Sequence, residues 1–144
     1  MPTPALRLHL MTLGADDVER AAHFYEALGM QRHMKGAEGV AFFDAGGAAL
    51  SIYGREALAK DSDTGELPRG SGSATLAFNV TSESAVDETL EAAAKAGGKI
   101  LKKGYRIFWG GYIGYFADPE GHIWEVAYNP DFKFDERGLL ILPT

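Results

Sequence analysis

The stretch GGYIGYFADPEGHIWEVAYNP, Gly110–Pro130, decides how the rest of the chain is read. Tyr112–Phe116 is an apolar and aromatic run, Asp118-Pro119-Glu120-Gly121 interrupts it, and Ile123–Tyr128 resumes it. Proline in the second place of a four-residue turn and glycine in the fourth are what a tight turn selects, so the segment reads as two strands whose register the turn sets. Along the second strand Ile123, Glu125 and Ala127 point to one side and Trp124 and Val126 to the other, and one side must be core.

Working outward, Lys99–Lys102 reads as a further strand. Before it, Val86, Leu90, Ala93, Ala94 and Gly97 trace a helical stripe with Ser82 or Ser84 available as a cap, and Ala74–Val80 reads as a strand. The same order occurs earlier in the chain. Leu6–Leu13 alternates as a strand, Val18, Ala21, Ala22, Tyr25 and Leu28 form a stripe that Asp16 or Asp17 caps and Gly29 ends, and three short strands fall near Gln31–Met34, Val40–Asp44 and Ala48–Tyr53. Val18 to Gly29 has the spacing of Val86 to Gly97, so the pattern is a duplicated βαβββ unit of α+β class. We expect one domain over 1–144: a first module at 5–60, a polar Gly- and Ser-rich connector at 61–73, a second module at 74–130, and a tail at 131–144. The apolar Leu139–Leu142 patch of the tail is expected to pack on the body or on a second subunit.

Composition narrows the function classes. Across 144 residues, 20 acidic and 14 basic side chains give a net charge of −6, with no basic run beyond Lys102-Lys103, which argues against nucleic acid and anionic membrane as partners. No apolar stretch approaches the ~18 residues that span a bilayer, and MPTPALRLHL lacks the form of an export signal. With no cysteine there is no disulfide, no thiolate metal site and no cysteine nucleophile, and cytoplasmic residence is the expectation.

Three blocks carry a family likeness: Gly14-Ala15-Asp16-Asp17 leading into Phe24-Tyr25-Glu26-Ala27-Leu28-Gly29, the connector, and Tyr115-Phe116-Ala117-Asp118-Pro119-Glu120-Gly121-His122 leading to Glu125. With them the chain resembles the vicinal oxygen chelate superfamily, which includes glyoxalase I, bleomycin-resistance proteins and extradiol dioxygenases. Trp109-Gly110-Gly111-Tyr112, Trp124-Glu125-Val126 and Asn129-Pro130 look like a glyoxalase-like branch of it. The resemblance implies a U-shaped mixed sheet of two modules around a cavity and, in metal-dependent members, four side chains on four strands holding a divalent ion as Lewis acid.

Carried over residue by residue, the four positions fall on Leu10, on the strand with Ser51 and Tyr53, on Thr75 or Phe78, and on Glu125. Only Glu125 is an ordinary metal ligand, and catalytic sites need about three protein ligands. His9 neighbours Leu10, but one step along a strand turns a side chain to the other face, and only a bulge would bring it in. The expectation is therefore a cavity with no cofactor, a divalent metal held by Glu125 and His9 being the alternative.

Glu125 is the candidate catalytic residue if there is chemistry. A carboxylate facing a cavity is partly desolvated and serves as general base or as acceptor for a ligand, while the structural reading is a Glu hydrogen-bonded to Ser, Tyr or Arg. Around it, Trp109, Tyr112, Tyr53, Phe78, Ser51, Thr75 and Leu10 are the candidate ligand-binding residues, the aromatics as walls and Trp109 on a loop able to close over a pocket. His122 reads as a turn or strand-end residue, and His23 and His33 are given no role. The implied function is binding of a small organic molecule by a homodimer. The alternatives are a metal-dependent glyoxalase-like lyase or dioxygenase, an isomerase with Glu125 as base, and an interaction domain with a filled interior.

Overall fold

The computed structural model describes residues 4–144. In chain order the elements are β1 (Leu10–Ala15), α1 (Val18–Ala27), β2 (Arg32–His33), β3 (Val40–Asp44), β4 (Ala49–Gly54), α2 (Arg55–Ser62), β5 (Leu76–Val80), α3 (Glu83–Lys95), β6 (Lys99–Arg106), β7 (Tyr112–Ala117), β8 (Ile123–Tyr128), β9 (Lys133–Phe134) and β10 (Leu140–Ile141). Strand, helix and three strands occur twice, as the periodicity implies.

Both main helices start where a short polar side chain satisfies an orphan N–H. Asp17 accepts from the Arg20 amide at 3.0 Å, and Ser82 Oγ from the Ala85 amide at 3.1 Å. The position three residues after Asp17, where a capping box has Glu or Gln, is Arg20. Glu120, from the β7–β8 turn of the other module, takes that place: its carboxylate accepts from the Asp16 amide at 2.6 Å and the Asp17 amide at 3.3 Å, and pairs with Arg20.

The strands form two four-stranded sheets, ordered β1-β4-β3-β2 and β5-β8-β7-β6, with β1/β4 and β5/β8 parallel and the remaining pairs antiparallel. No ladder joins β1 to β5 among the described residues, so each sheet ends on an unpaired parallel strand. One core holds the two sheets together. Met11, Leu13 and Ala15 of β1, Leu50 and Ile52 of β4, Phe43 of β3, the buried faces of α1 and α3, and Phe116, Trp124 and Val126 all belong to it. Tyr25 of α1 lies 6.0 Å from Phe43 in one sheet and 6.0 Å from Trp124 in the other. The helix-bearing faces of the sheets are thus turned toward each other with α1 between them. The alternate side chains, Leu10, Thr12, Ser51 and Tyr53 on one sheet and Ile113, Tyr115 and Glu125 on the other, lie on the faces turned away from this core, where Ser51 and Ile113 are nonetheless buried.

Four details differ from the sequence reading. The first strand begins at Leu10, not Leu6, because its partner β4 begins at Ala49; the last contact before it is the Ala49 amide to the His9 carbonyl at 2.8 Å. An eight-residue helix, α2, occupies Arg55–Ser62, where no helix is expected: it buries no residue and Gly54 gives it no side-chain cap, so it carries no apolar stripe to read. The strand at Lys99 runs on to Arg106 through register shifts between Ile100 and Lys102 and between Lys102 and Tyr105. The tail forms a small hairpin, β9–β10, with Leu139 against Gly46.

Candidate functional site

Glu125 sits in the middle of β8, beside Ala77 of β5 and Tyr115 of β7. Its neighbours Trp124 and Val126 point into the core, so strand alternation sends its carboxylate outward. The Tyr115 hydroxyl donates to Glu125 Oε2 at 2.8 Å. That bond, then burial and the carboxylate charge, pushes the Tyr115 phenol up to about 12, so the phenol keeps its proton and donates at neutral pH. The bond engages Oε2 and leaves Oε1 without a hydrogen-bond donor among the described residues.

The other residues singled out from the sequence are distributed over the molecule. Ser51 is 1% exposed and shares a 2.6 Å hydrogen bond with Thr12 on the outer face of the first sheet. Tyr53, on the same face, donates to Asp61 of α2 at 2.8 Å, which raises its pKa. Leu10 occupies this face too, 44% exposed. α2 lies over the ends of β1 and β4: a side chain at Gly14 would stand 3.3 Å from Arg55 Cα. Thr75 precedes β5 and is exposed. Tyr112 points to the helix side, where its hydroxyl donates to Asp87 at 2.9 Å, and so lies across the sheet from Glu125. Trp109 caps the β6–β7 turn, its indole filling the space where Gly111 has no side chain. Of the whole set, none but Glu125 sits with Tyr115.

His9 precedes β1, and the β1–β4 register runs from Leu10 to Ala15 without the bulge that would bring a neighbouring side chain onto the face of Leu10. Among the described residues no three His, Asp or Glu side chains are grouped as a metal site. The donor set itself decides the fit: Leu10, Ser51, Thr75 and Glu125 offer one carboxylate, which does not suit a catalytic divalent ion.

His122 is buried, its Nε2 2.7 Å from the Gly14 carbonyl, which makes Nε2 the protonated nitrogen and pins the start of β8 to the end of β1. Beside it, Asp118 accepts from Tyr25 Oη at 2.5 Å and from the Glu120 and His122 amides. Trp124 Nε1 in turn donates to Tyr25 Oη at 3.1 Å. Burial, and then Asp118, raise the Tyr25 phenol far above its ordinary range. This network joins the modules and is structural.

Between the helix-bearing faces runs a groove of about 820 Å³, walled by Met11, Leu50, Leu76, Phe78, Phe116 and Trp124, within the range of small-molecule sites. Phe78 is the one predicted ligand-binding residue that it includes. Neither Glu125 nor Tyr115 lines it. The Tyr115–Glu125 pairing was not fixed by the sequence reading: a four-residue turn over Asp118–Gly121 would oppose Tyr115 to Trp124, whereas the Asp118 amide bonds to the His122 carbonyl at 2.9 Å, so Pro119, Glu120 and Gly121 form the loop and Tyr115 meets Glu125. Nor did that reading reveal the groove, which depends on how two sheets pack.

A sequence model of the Glyoxalase/Bleomycin resistance protein/Dioxygenase superfamily matches residues 7–126. A glyoxalase-related enzyme from Fulvimarina pelagi superposes with a TM-score of 0.89 at 31% identity, over 97% of this chain and 100% of that one. A glyoxalase/bleomycin resistance protein/dioxygenase family enzyme from Burkholderia phytofirmans PsJN gives 0.74 at 21% identity, over 85% and 98%. Lactoylglutathione lyase from Agrobacterium tumefaciens gives 0.67 at 22% identity, over 89% and 97%. The last two likenesses show the fold alone. A search of curated proteins found no match.

Proposed function

We propose that this chain, which belongs to the glyoxalase/bleomycin resistance protein/dioxygenase superfamily, binds a small organic molecule on the outer face of its second sheet, with Glu125 and Tyr115 as the polar anchor and no metal in the site. The observation that carries this is the 2.8 Å bond from Tyr115 to Glu125 on a face turned away from the core. A phenol that stays protonated orients the carboxylate, and the free oxygen Oε1 accepts from a hydroxyl, amine or cationic group of the ligand.

A second copy of the chain closes the site. Leu10, Thr12 and Ser51 face outward on the other sheet, pointing away from Glu125 of the same chain. Strand β1, which ends its sheet unpaired, carries Leu10 at 44% exposure, and β5 ends the other sheet unpaired. Unpaired edges with apolar side chains are templates for association, so a homodimer that opposes the first sheet of one chain to the second sheet of its partner supports this reading. A cysteine-free chain suits the reducing cytoplasm.

The test is a thermal-shift screen of aromatic compounds that carry a hydroxyl or an N–H donor, in the presence of EDTA, with Glu125→Gln and Tyr115→Phe alongside. The reading predicts stabilisation by a compound, unaffected by EDTA and lost in Glu125→Gln. Stabilisation that needs an added divalent ion, or that survives Glu125→Gln unchanged, contradicts it.

A further inference from the structure

We infer that the groove between the helix-bearing faces is a second ligand site, selective for a lipophilic organic cation. Its walls are apolar and aromatic, with Phe116 and Trp124 stacked at 6.0 Å and an interplanar angle of 4°. Only two charged side chains line it among the described residues, and both are acidic: Asp44 at the β3–β4 turn and Glu88 on α3. An apolar trough with carboxylates at its rim and no Lys, Arg or His among its lining residues favours a hydrophobic body that carries positive charge, and the half-exposed Phe78 ring adds to that preference.

The two acids are free for this role. Asp44 Oδ1 accepts from the Gly46 amide, a local turn contact that an asparagine oxygen would preserve, and both side chains belong to exposed residues. Half-exposed Phe78 at the groove and the space left between α3 and the β3–β4 turn distinguish this end of the molecule from its counterpart. At the counterpart, Tyr25 and Asp118 fill the corresponding space between α1 and the β7–β8 turn with a buried hydrogen bond. The duplicated architecture thus has one sealed junction and one open junction, and the open junction is acidic.

The experiment compares tetraphenylphosphonium with its nearly isosteric anion tetraphenylborate by isothermal titration calorimetry on the full chain in EDTA. The wild type is expected to bind the cation at least tenfold more tightly than the anion. The Asp44→Asn/Glu88→Gln double variant is expected to lose roughly tenfold in cation affinity, about half from each exposed charge, with its melting temperature unchanged. Glu125→Gln is expected to bind the cation like the wild type, which separates this site from the Tyr115–Glu125 face. Equal binding of the two ions, undiminished cation binding by the double variant, or loss of the cation in Glu125→Gln overturns the inference.

Discussion

Tyr115 and Glu125 are cross-strand partners on β7 and β8, and the phenol donates to the carboxylate at 2.8 Å on the sheet face that looks away from the core. The bond ties a proton to a known atom. Its strength is readable in titration, because Tyr115 ionises at about 12 against the ordinary 10.0.

A raised phenol pKa means that the folded state holds the proton more tightly than the unfolded state does. The stabilisation it contributes is complete below pH 10.0 and is lost as pH rises toward about 12. Ultraviolet titration of Glu125→Gln is expected to show the Tyr115 transition moved down toward 10, assigned by its disappearance in Tyr115→Phe. An unmoved transition would mean that the carboxylate does not hold the phenol.

Tyr25 links three elements through one hydroxyl, donating to Asp118 at 2.5 Å and accepting from Trp124 at 3.1 Å. Tyr25→Phe keeps the ring and strands both partners, so it should lower stability by about 1–3 kcal/mol in urea unfolding. A change within ~0.5 kcal/mol, the range of surface substitutions, would show that the network adds little.

Glu120 caps α1 from the opposite module. Glu120→Ala should cost about 0.5–2 kcal/mol, the size of a lost helix cap, and Glu120→Gln less, because an amide oxygen still accepts. Equal losses in the two variants would assign the effect to the charge on Arg20 instead.

Gly98 lies where α3 turns into β6. A Cβ there would meet the Ala117 carbonyl at 2.7 Å, Phe24 at 2.9 Å and the Ala93 carbonyl at 3.0 Å. Two of the three are backbone and cannot swing aside, so Gly98→Ala should destabilise by about 1–3 kcal/mol. A variant as stable as the wild type would show that the α3–β6 backbone can move away from the Ala117 and Ala93 carbonyls.

The duplicated βαβββ order was legible because its signals are local. The stripes of Val18–Leu28 and Val86–Ala94, and the Pro119 and Gly121 turn, each declare themselves within a few residues. The α2 segment REALAKDS does not, since nothing in it is buried. Strand parity also placed Glu125 opposite Trp124 and Val126 from sequence alone. It could not tell which way the two sheets face, because that is set by Phe24 and Tyr25 packing on Phe116 and Trp124, contacts between residues almost a hundred positions apart. For that reason Ser51 and Glu125, expected in one cavity, lie on outward faces of separate sheets within a chain.

Whether Glu125 anchors an organic ligand without a metal is decided by elemental analysis of the purified protein with Glu125→Ala alongside. No stoichiometric divalent ion is expected in either protein. One ion per chain in the wild type, lost in Glu125→Ala, would contradict that expectation and place metal-dependent chemistry at that carboxylate.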